Sequence, residues 1–290
     1  MRQLIMWATV VAVVAMAEAQ VTVKSPDGEV TAVVLTNAAG RLTYRVKLKK
    51  AEVLPPSPLG VTVDGIDLGK GVSLGKPTFR EFSERYAVMG LHDTAVNRYR
   101  EAVVPLLGTK GTESAQLEVR VFDDGVAYRY RVPGSGTRTI AGEASAWVLP
   151  AGSLVWYQRN IRDHEDVYLE QAMESVPKNT AMGTPVTVLL ADRSAYLMLT
   201  EANLVAYSDM AIKAEGNATF AAFFHADQAG WKNEGEVVSP WRVTLVAKDL
   251  NTLANSDIVK NLCPPPSGKL AAAPFVKPGR AVWHWWSSGD

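Results

Sequence analysis

Residues 159–174 form the most polar stretch of the chain and concentrate side chains that could bind a metal ion. Carboxylate oxygens are the ligands that hard cations such as Ca²⁺ prefer, but the spacing here matches no EF-hand loop. The alternative is a solvated loop in which arginines pair with the acids. The spacing alone favours that alternative, because surface charge clusters are common and stabilise little. The carboxylates of this stretch and of the hairpin after it are Asp163, Glu165, Asp166, Glu170, Glu174 and Asp192.

Three of the eight tryptophans, Trp283, Trp285 and Trp286, lie in the last eight residues of the chain. Indole rings stack on the apolar face of sugars and often line pockets. On a strand, Trp283 and Trp285 would point to one face and Trp286 to the other, so at most one set can face a given pocket. The residues alone leave open whether this cluster binds a sugar or packs in a core.

No complete catalytic motif stands out elsewhere. The sequence has no GxSxG, HExxH or P-loop, no GxGxxG after a strand, and its four histidines are dispersed. Nucleophile-elbow, zincin and nucleotide-binding folds therefore lack motif support. The run Asp123-Asp124-Gly125 predicts a β-turn rather than a catalytic pair. The single cysteine, Cys263, excludes an intrachain disulfide and a cysteine-rich zinc site.

Composition places the chain among globular proteins. It has 290 residues, of which 47% are apolar and 21% charged. The 30 basic and 30 acidic residues cancel, and no basic run is present. This argues against a nucleic-acid partner held by phosphate contacts.

The body of the chain, from Val21 to about Val246, alternates apolar and polar residues in short runs separated by turn residues. This pattern predicts an all-β protein, a large antiparallel sandwich of about 15 or more strands. Turns are expected at Pro26-Asp27-Gly28 and Pro133-Gly134. The clearest predicted strands cover residues 29–36, 42–48, 116–122, 126–132, 185–190 and 196–199.

A helix and a linker are predicted after the sandwich. The helix is expected over residues 250–262, with Asp249 as its N-cap. One apolar face is expected to hold Leu250, Leu253, Ile258, Val259 and Leu262. Proline and small residues then predict a linker over 266–275. Residues 276–286 read as a strand that opens a further domain, so we expect this sequence to be part of a longer protein.

The N-terminus has the features of a secretory signal peptide. Met1-Arg2-Gln3 is followed by an apolar run over residues 4–17 and by Ala17-Glu18-Ala19. The run is too short for a comfortable membrane span, which needs about 20 residues, although a membrane anchor is the alternative. We expect cleavage after Ala19 and a soluble, exported protein, periplasmic or extracellular.

Five blocks of sequence resemble glycoside hydrolase family 97, in the order in which the family has them. The resemblance runs from about Val21 to Asp290. The blocks are FDDGVAYRY (122–130), RDHEDVY (162–168), TEANLVAYSDM (200–210), PWR (240–242) and VKPGRAVWHWW (276–286).

The resemblance implies both fold and activity. Family members have an N-terminal β-supersandwich of the galactose-mutarotase type, a catalytic (β/α)8 barrel and a small C-terminal β domain. They hydrolyse α-glucosides or α-galactosides and depend on calcium. Residues 20–265 would then be the supersandwich, and residues 276–290 the start of the barrel. The catalytic carboxylates would lie beyond Asp290, so the chain alone is expected to be inactive and to pack against the barrel in the whole enzyme.

The resemblance also implies two site residues. The family's sandwich contributes one glutamate as a calcium ligand in an E-x-x-Y pattern, which here is Glu165 with Tyr168. Glu201 is a second candidate, but a loop reaches across a domain interface more easily than a strand interior does. A tryptophan at the end of the first barrel strand, here Trp285, would lie near the sugar.

Several functional questions stay open at the level of sequence. A non-catalytic carbohydrate-binding sandwich and a structural module of the cell envelope are the alternatives to a hydrolase. The residues distinguish neither glucose from galactose specificity nor an inverting from a retaining mechanism, because the carboxylate pair that decides the stereochemistry is not identified.

Overall fold

The computed structural model describes residues 19–265, except 89 and 226–229, together with the isolated positions 268, 273–275, 277 and 279–282. The predicted signal peptide up to residue 18 lies outside the described residues, and so do Trp283, Trp285 and Trp286. Within the strand predicted over 276–286, the described positions 277 and 279–282 lie outside any strand.

The described residues form 22 strands, one 3₁₀ turn and two short helices. The strands are β1 (Gln20–Lys24), β2 (Val30–Thr36), β3 (Leu42–Leu48), β4 (Ala51–Pro58), β5 (Val61–Val63), β6 (Ile66–Asp67), β7 (Ser73–Leu74), β8 (Thr78–Ala87), β9 (Thr94–Leu107), β10 (Glu113–Phe122), β11 (Gly125–Val132), β12 (Thr137–Glu143), β13 (Ala146–Val148), β14 (Leu154–Gln158), β15 (Leu169–Ala172), β16 (Ala181–Leu189), β17 (Tyr196–Ala202), β18 (Ala211–Gly216), β19 (Thr219–Phe223), β20 (Trp231–Glu234), β21 (Val237–Val238) and β22 (Trp241–Ala247). The 3₁₀ turn is Met173–Ser175, and the helices are α1 (Leu250–Ala254) and α2 (Ile258–Asn261).

The strands form one large sheet and two small ones. The large sheet has 14 strands, with the main path β13-β19-β18-β16-β17-β22-β11-β10-β9-β7. The small sheets are β1-β2-β3-β4 and β20-β12-β5-β6. Every strand pair among the described residues is antiparallel. The prediction of a large antiparallel all-β sandwich is therefore confirmed.

The main core lies between the sheets, where their inward residues meet. Tyr44 of β3 and Tyr128 of β11 pack edge to face, with ring centroids 5.0 Å apart. The Trp147 indole donates to the Thr244 hydroxyl over 3.0 Å, a hydrogen bond that joins β13, at one end of the large sheet, to β22 in its middle. These aromatic residues are almost fully buried, and burial on this scale is the main stabilising contribution to such a domain.

A second, smaller core covers the other face of the large sheet at one end. Leu253 of α1 and Ile258 of α2 are buried there with Leu245 and Phe122. The sequence predicted one helix over 250–262, whereas the chain forms two helices separated at residues 255–257. The predicted cap is present, since Asp249 accepts from the Thr252 amide over 2.7 Å. Of the predicted apolar face, Leu253, Ile258 and Leu262 are buried, whereas Leu250 is 56% and Val259 37% exposed.

Candidate functional site

Loops from three parts of the chain meet at one end of the sandwich, which we call the loop end. It comprises loop 159–168 between β14 and β15, loop 203–210 between β17 and β18, and Phe224-His225 after β19. The His225 Nε2 lies 3.2 Å from the Ile161 carbonyl oxygen. The Tyr207 and Phe224 rings pack edge to face, with centroids 6.4 Å apart. The segment Phe224-His225 therefore contacts both loop 159–168 and loop 203–210.

Loop 159–168 begins with a turn that Asn160 organises. Its side-chain oxygen accepts from the amides of Arg162 and Asp163 over 3.2 and 3.0 Å. The His164 amide donates to the Asn160 carbonyl oxygen over 3.1 Å. Asn is suited to such a turn, because its short side chain can take the place of a backbone acceptor. The turn projects residues 162–168 into solvent.

Glu165 lies in the exposed part of this loop. Within the part of the chain that the structure describes, its carboxylate forms no hydrogen bond or ion pair. Its backbone carbonyl oxygen is 3.4 Å from the Asn160 side-chain nitrogen. Tyr168, the partner residue of the E-x-x-Y pattern, is 51% exposed. The Glu165 carboxylate is thus available to a group outside the described residues.

Glu201, the second candidate ligand, is engaged inside the domain. It lies on β17, its side chain is 13% exposed, and it forms an ion pair with Arg242 of β22. It also accepts from the Met210 amide over 3.0 Å. Burial raises the pKa of the Glu201 carboxyl, although the Arg242 charge acts in the opposite direction. To bind a metal, Glu201 would have to give up these contacts.

Arg242 is the centre of a buried charge network that sequence reasoning did not identify. Its guanidinium is fully buried and contacts Glu143, which is also fully buried, with a shortest distance of 2.5 Å. Burial alone lowers the pKa of Arg242, but the negative charge of Glu143 and the hydrogen bonds that Arg242 donates to it raise that pKa overall. The Tyr207 hydroxyl donates to Glu143 over 2.9 Å. The network therefore fixes loop 203–210 to the sheet.

Gln158, the last residue of β14, is a second buried polar group under the loop end. It is 1% exposed. Neither its side-chain oxygen nor its side-chain nitrogen has a hydrogen-bond partner within the described structure. Gly183 faces it across the strand pair, and a Cβ at that position would lie 1.9 Å from the Gln158 nitrogen and 2.9 Å from His164 Nδ1. Only glycine therefore leaves room for the Gln158 amide beneath the loop.

The other carboxylates of the acidic stretch do not share a site. Glu170 accepts from the Trp156 indole over 3.0 Å. Glu174 accepts from the Gly152 amide over 2.6 Å, which lowers the pKa of Glu174. Asp192 caps the turn at Ser194. Among the residues with described positions, no group of three or more His, Cys, Asp or Glu side chains could hold a metal ion.

These donors fall short of a complete calcium site. Ca²⁺ takes six to eight oxygen ligands, whereas at the loop end the described residues offer two carboxylates without a hydrogen bond or ion pair, those of Glu165 and Asp209. A calcium ion bound there would need its remaining ligands from polypeptide or water outside the described residues.

A surface cavity lies at the opposite end of the sandwich, among the turns that precede β17 and follow β22. Its volume is about 560 Å³. Charged residues such as Asp27, Lys49 and Lys248 line it, and none of its described lining residues is aromatic. It therefore lacks the ring-stacking surface that is typical of sugar sites.

The described part of the chain contains no helix that is both long and apolar enough to cross a membrane.

Comparison with known proteins identifies relatives for almost the whole chain. The family model described as the N-terminal domain of glycosyl hydrolase family 97 matches residues 23–265. A probable retaining α-galactosidase of Streptomyces bingchenggensis is 31% identical over 88% of this chain and 39% of its own length. A retaining α-galactosidase of Bacteroides thetaiotaomicron is 22% identical over 93% of this chain and 45% of its own length. The chain thus spans less than half the length of these curated relatives.

Solved structures share the fold. A family 97 glycoside hydrolase of Pseudoalteromonas sp. strain K8, in complex with acarbose, superposes with a TM-score of 0.77 at 22% identity, over 84% of this chain and 38% of that one. A β-arabinopyranosidase gives a TM-score of 0.71 at 17% identity, over 79% and 40%. These structures show the fold, and the family match over residues 23–265 shows that the chain belongs to glycoside hydrolase family 97, as its N-terminal domain.

Proposed function

We propose that this chain is the N-terminal part of an exported, calcium-dependent glycoside hydrolase that acts on α-galactosides or α-glucosides. The observation that carries the proposal is the family 97 match over residues 23–265. Both curated relatives are named α-galactosidases, which favours α-galactosides as the substrate class. The predicted signal peptide over residues 1–19 supports export.

In this enzyme, Glu165 contributes one carboxylate to a calcium ion at the loop end. Two features support Glu165 over Glu201: its carboxylate is exposed and unengaged among the described residues, whereas Glu201 is paired with Arg242. Calcium bound there would act as a Lewis acid that orients a sugar hydroxyl or supports proton transfer. The task of this chain is to hold the Glu165 loop in place.

The loop end also has the surface expected of a domain contact. Four apolar side chains are exposed there, namely Val167, Tyr168, Leu204 and Val205. Exposed apolar side chains grouped in this way are typical of interaction surfaces. We place the catalytic barrel against this end, with Trp285 near the sugar. The general acid and the nucleophile or base come from the barrel.

The test is Glu165→Gln in the full-length protein, with activity measured against free calcium. The calcium concentration for half-maximal activity should rise about tenfold or more, because the charge count of the ligands sets Ca²⁺ affinity. Folding should be unchanged, since the side chain is exposed. Asp166→Asn, the same change at the next residue, is the matched control and should leave the calcium requirement as it is. An unaltered requirement in Glu165→Gln would move the ligand to Glu201 or out of this domain.

A further inference from the structure

Strand β8 (Thr78–Ala87) forms an open edge of the large sheet. It pairs with β9 over ten consecutive residue pairs, from Thr78 opposite Val103 to Ala87 opposite Thr94, without any shift in register. Among the described residues, no other strand pairs with β8. Alternate N–H and C=O groups along its outer side are therefore open to another strand.

Apart from its four charged residues, the strand lacks the features by which edge strands usually resist such pairing. Proline, glycine, lysine and β-bulges all protect natural edges, and β8 has none of them. Three of its four charged residues have a partner on the neighbouring strand β9. Arg80 pairs with Glu101 over 2.6 Å, Glu81 with Arg100 over 2.9 Å, and Glu84 accepts from the Asn97 amide over 2.9 Å. Phe79 is 61% exposed on the same strand.

The sequence of β8 is complementary to itself in one antiparallel register. When the two-fold axis is perpendicular to the sheet, equivalent faces of the two copies lie on the same side of the joined sheet. Residues directly opposite one another must then both be even-numbered or both odd-numbered. With the axis at Phe82, Arg80 lies opposite Glu84 in both halves, Phe79 lies opposite Arg85, and Phe82 meets its own copy. Opposite-charge and aromatic pairs are the combinations that stabilise paired strands.

The other registers are less favourable. With the axis at Ser83, Glu81 lies opposite Arg85, but Phe82 lies opposite Glu84. A register between these two would place Arg80 opposite Arg85 and Glu81 opposite Glu84, so that like charges meet. It would also require one copy to be turned over, with its opposite face on the same side of the joined sheet. Both registers that keep the faces of the sheet pair opposite charges, and the axis at Phe82 is favoured because Phe82 then meets its own copy rather than Glu84.

We propose that β8 is a homodimer interface, in which two copies of this chain join their large sheets by antiparallel β8–β8 pairing centred on Phe82. The dimer is isologous, because the same edge serves both copies. The contact is one strand wide, so it should dissociate on dilution rather than behave as an obligate interface. This inference does not depend on the proposed function.

Sedimentation equilibrium of the chain over a range of concentrations tests the proposal, with Glu84→Arg as the disrupting variant. This change places arginine opposite Arg80 in both halves, and the dimer dissociation constant should rise about tenfold or more, because like charges in contact are strongly unfavourable. The variant should still fold, since the Asn97 side-chain oxygen is buried without a partner in the described structure and can accept from the new arginine. Circular dichroism checks this.

The matched control is Glu81→Arg, which makes the same charge change on the same strand. In the Phe82-centred register, residue 81 lies opposite Ser83, so this variant should dimerise like the wild type. A wild-type chain that stays monomeric up to millimolar concentration would overturn the proposal, as would a Glu84→Arg variant that dimerises normally. Loss of the dimer in Glu81→Arg with retention in Glu84→Arg would overturn the Phe82-centred register.

Discussion

Replacing Arg242 by methionine should destabilise the domain strongly. The arginine is the cation for two carboxylates, those of Glu143 and Glu201, whose side chains are 0% and 13% exposed. Methionine keeps much of the side-chain volume, so the change removes mainly the charge and its hydrogen bonds. Removing one partner of a buried ion pair costs about 3–5 kcal/mol, because the remaining charge is left without compensation. With two carboxylates affected, we expect a loss of about 4–5 kcal/mol in the free energy of unfolding at pH 8.

The loss should depend on pH in a defined direction. Without Arg242, burial raises the pKa of the Glu201 carboxyl in the folded state further above its unfolded value of about 4.3. The folded variant then binds more protons than the unfolded chain at pH values between the unfolded-state pKa and the folded-state pKa of this carboxyl. Its stability therefore falls as the pH rises through that interval. The deficit relative to wild type should be smaller at pH 5 than at pH 8.

Urea unfolding followed by tryptophan fluorescence, at pH 5 and pH 8, measures both quantities. Arg100→Met is the matched control, since Arg100 forms an ion pair with Glu81 over 2.9 Å but is 40% exposed. That variant should lose only about 0–1 kcal/mol. A loss below about 1 kcal/mol in Arg242→Met, or a loss that is equal at both pH values, would refute the view that the network is a desolvated ion cluster.

Two further predictions concern Gln158 and the N-terminus. Gln158→Met should raise the free energy of unfolding by about 1–3 kcal/mol, because it removes two buried polar atoms that lack partners among the described residues. Urea unfolding measures this, and a decrease would mean that a buried water satisfies the amide. The exported protein should begin at Gln20, since the Ala17-Glu18-Ala19 site follows the apolar run. Intact-mass measurement of the secreted protein checks this, and a mass that retains residues 1–19 would contradict the prediction.

The sequence predicted the fold well where alternation was clean. The strand predicted over 42–48 coincides with β3, whose Leu42, Tyr44 and Val46 are all buried. The turn at Asp123-Asp124 is present, with Phe122 paired to Gly125. β8 was not among the clearest predicted strands. Nearly all of its residues are exposed, so it has no buried face to produce an alternating pattern.

The helical region shows the limit of periodicity as a guide. Residues 250–262 have helical spacing of apolar residues, but the chain leaves the helix at 255–257 and starts again at Ile258. Asn and Asp favour non-helical conformations through local hydrogen bonds, and both occur in this break. The restart lets Ile258 pack against Phe122 and Leu245 in the second core. The positions at which the helices end and begin are therefore set by tertiary packing, which the spacing of apolar residues in the sequence does not reveal.

The candidate site was predictable in part. The sequence alone indicated an exposed acidic loop, and the structure places residues 162–168 in solvent. It could not indicate that Glu143 and Arg242, 99 residues apart, form a buried pair, because a single sequence does not reveal which distant charges meet. Nor did it single out Gln158, whose significance lies in its burial and in the lack of a hydrogen-bond partner among the described residues.

The charge network bears directly on the choice between Glu165 and Glu201 as a calcium ligand. Glu201 already balances Arg242, so its withdrawal toward a metal would leave a fully buried guanidinium with Glu143 as its remaining carboxylate. Glu165 can reach a metal without such a cost, because none of its described side-chain contacts has to break. The two glutamates are therefore distinguishable by stability as well as by calcium response. Glu165→Gln should change only the calcium requirement, whereas Glu201→Gln should lower the free energy of unfolding whether or not calcium is present.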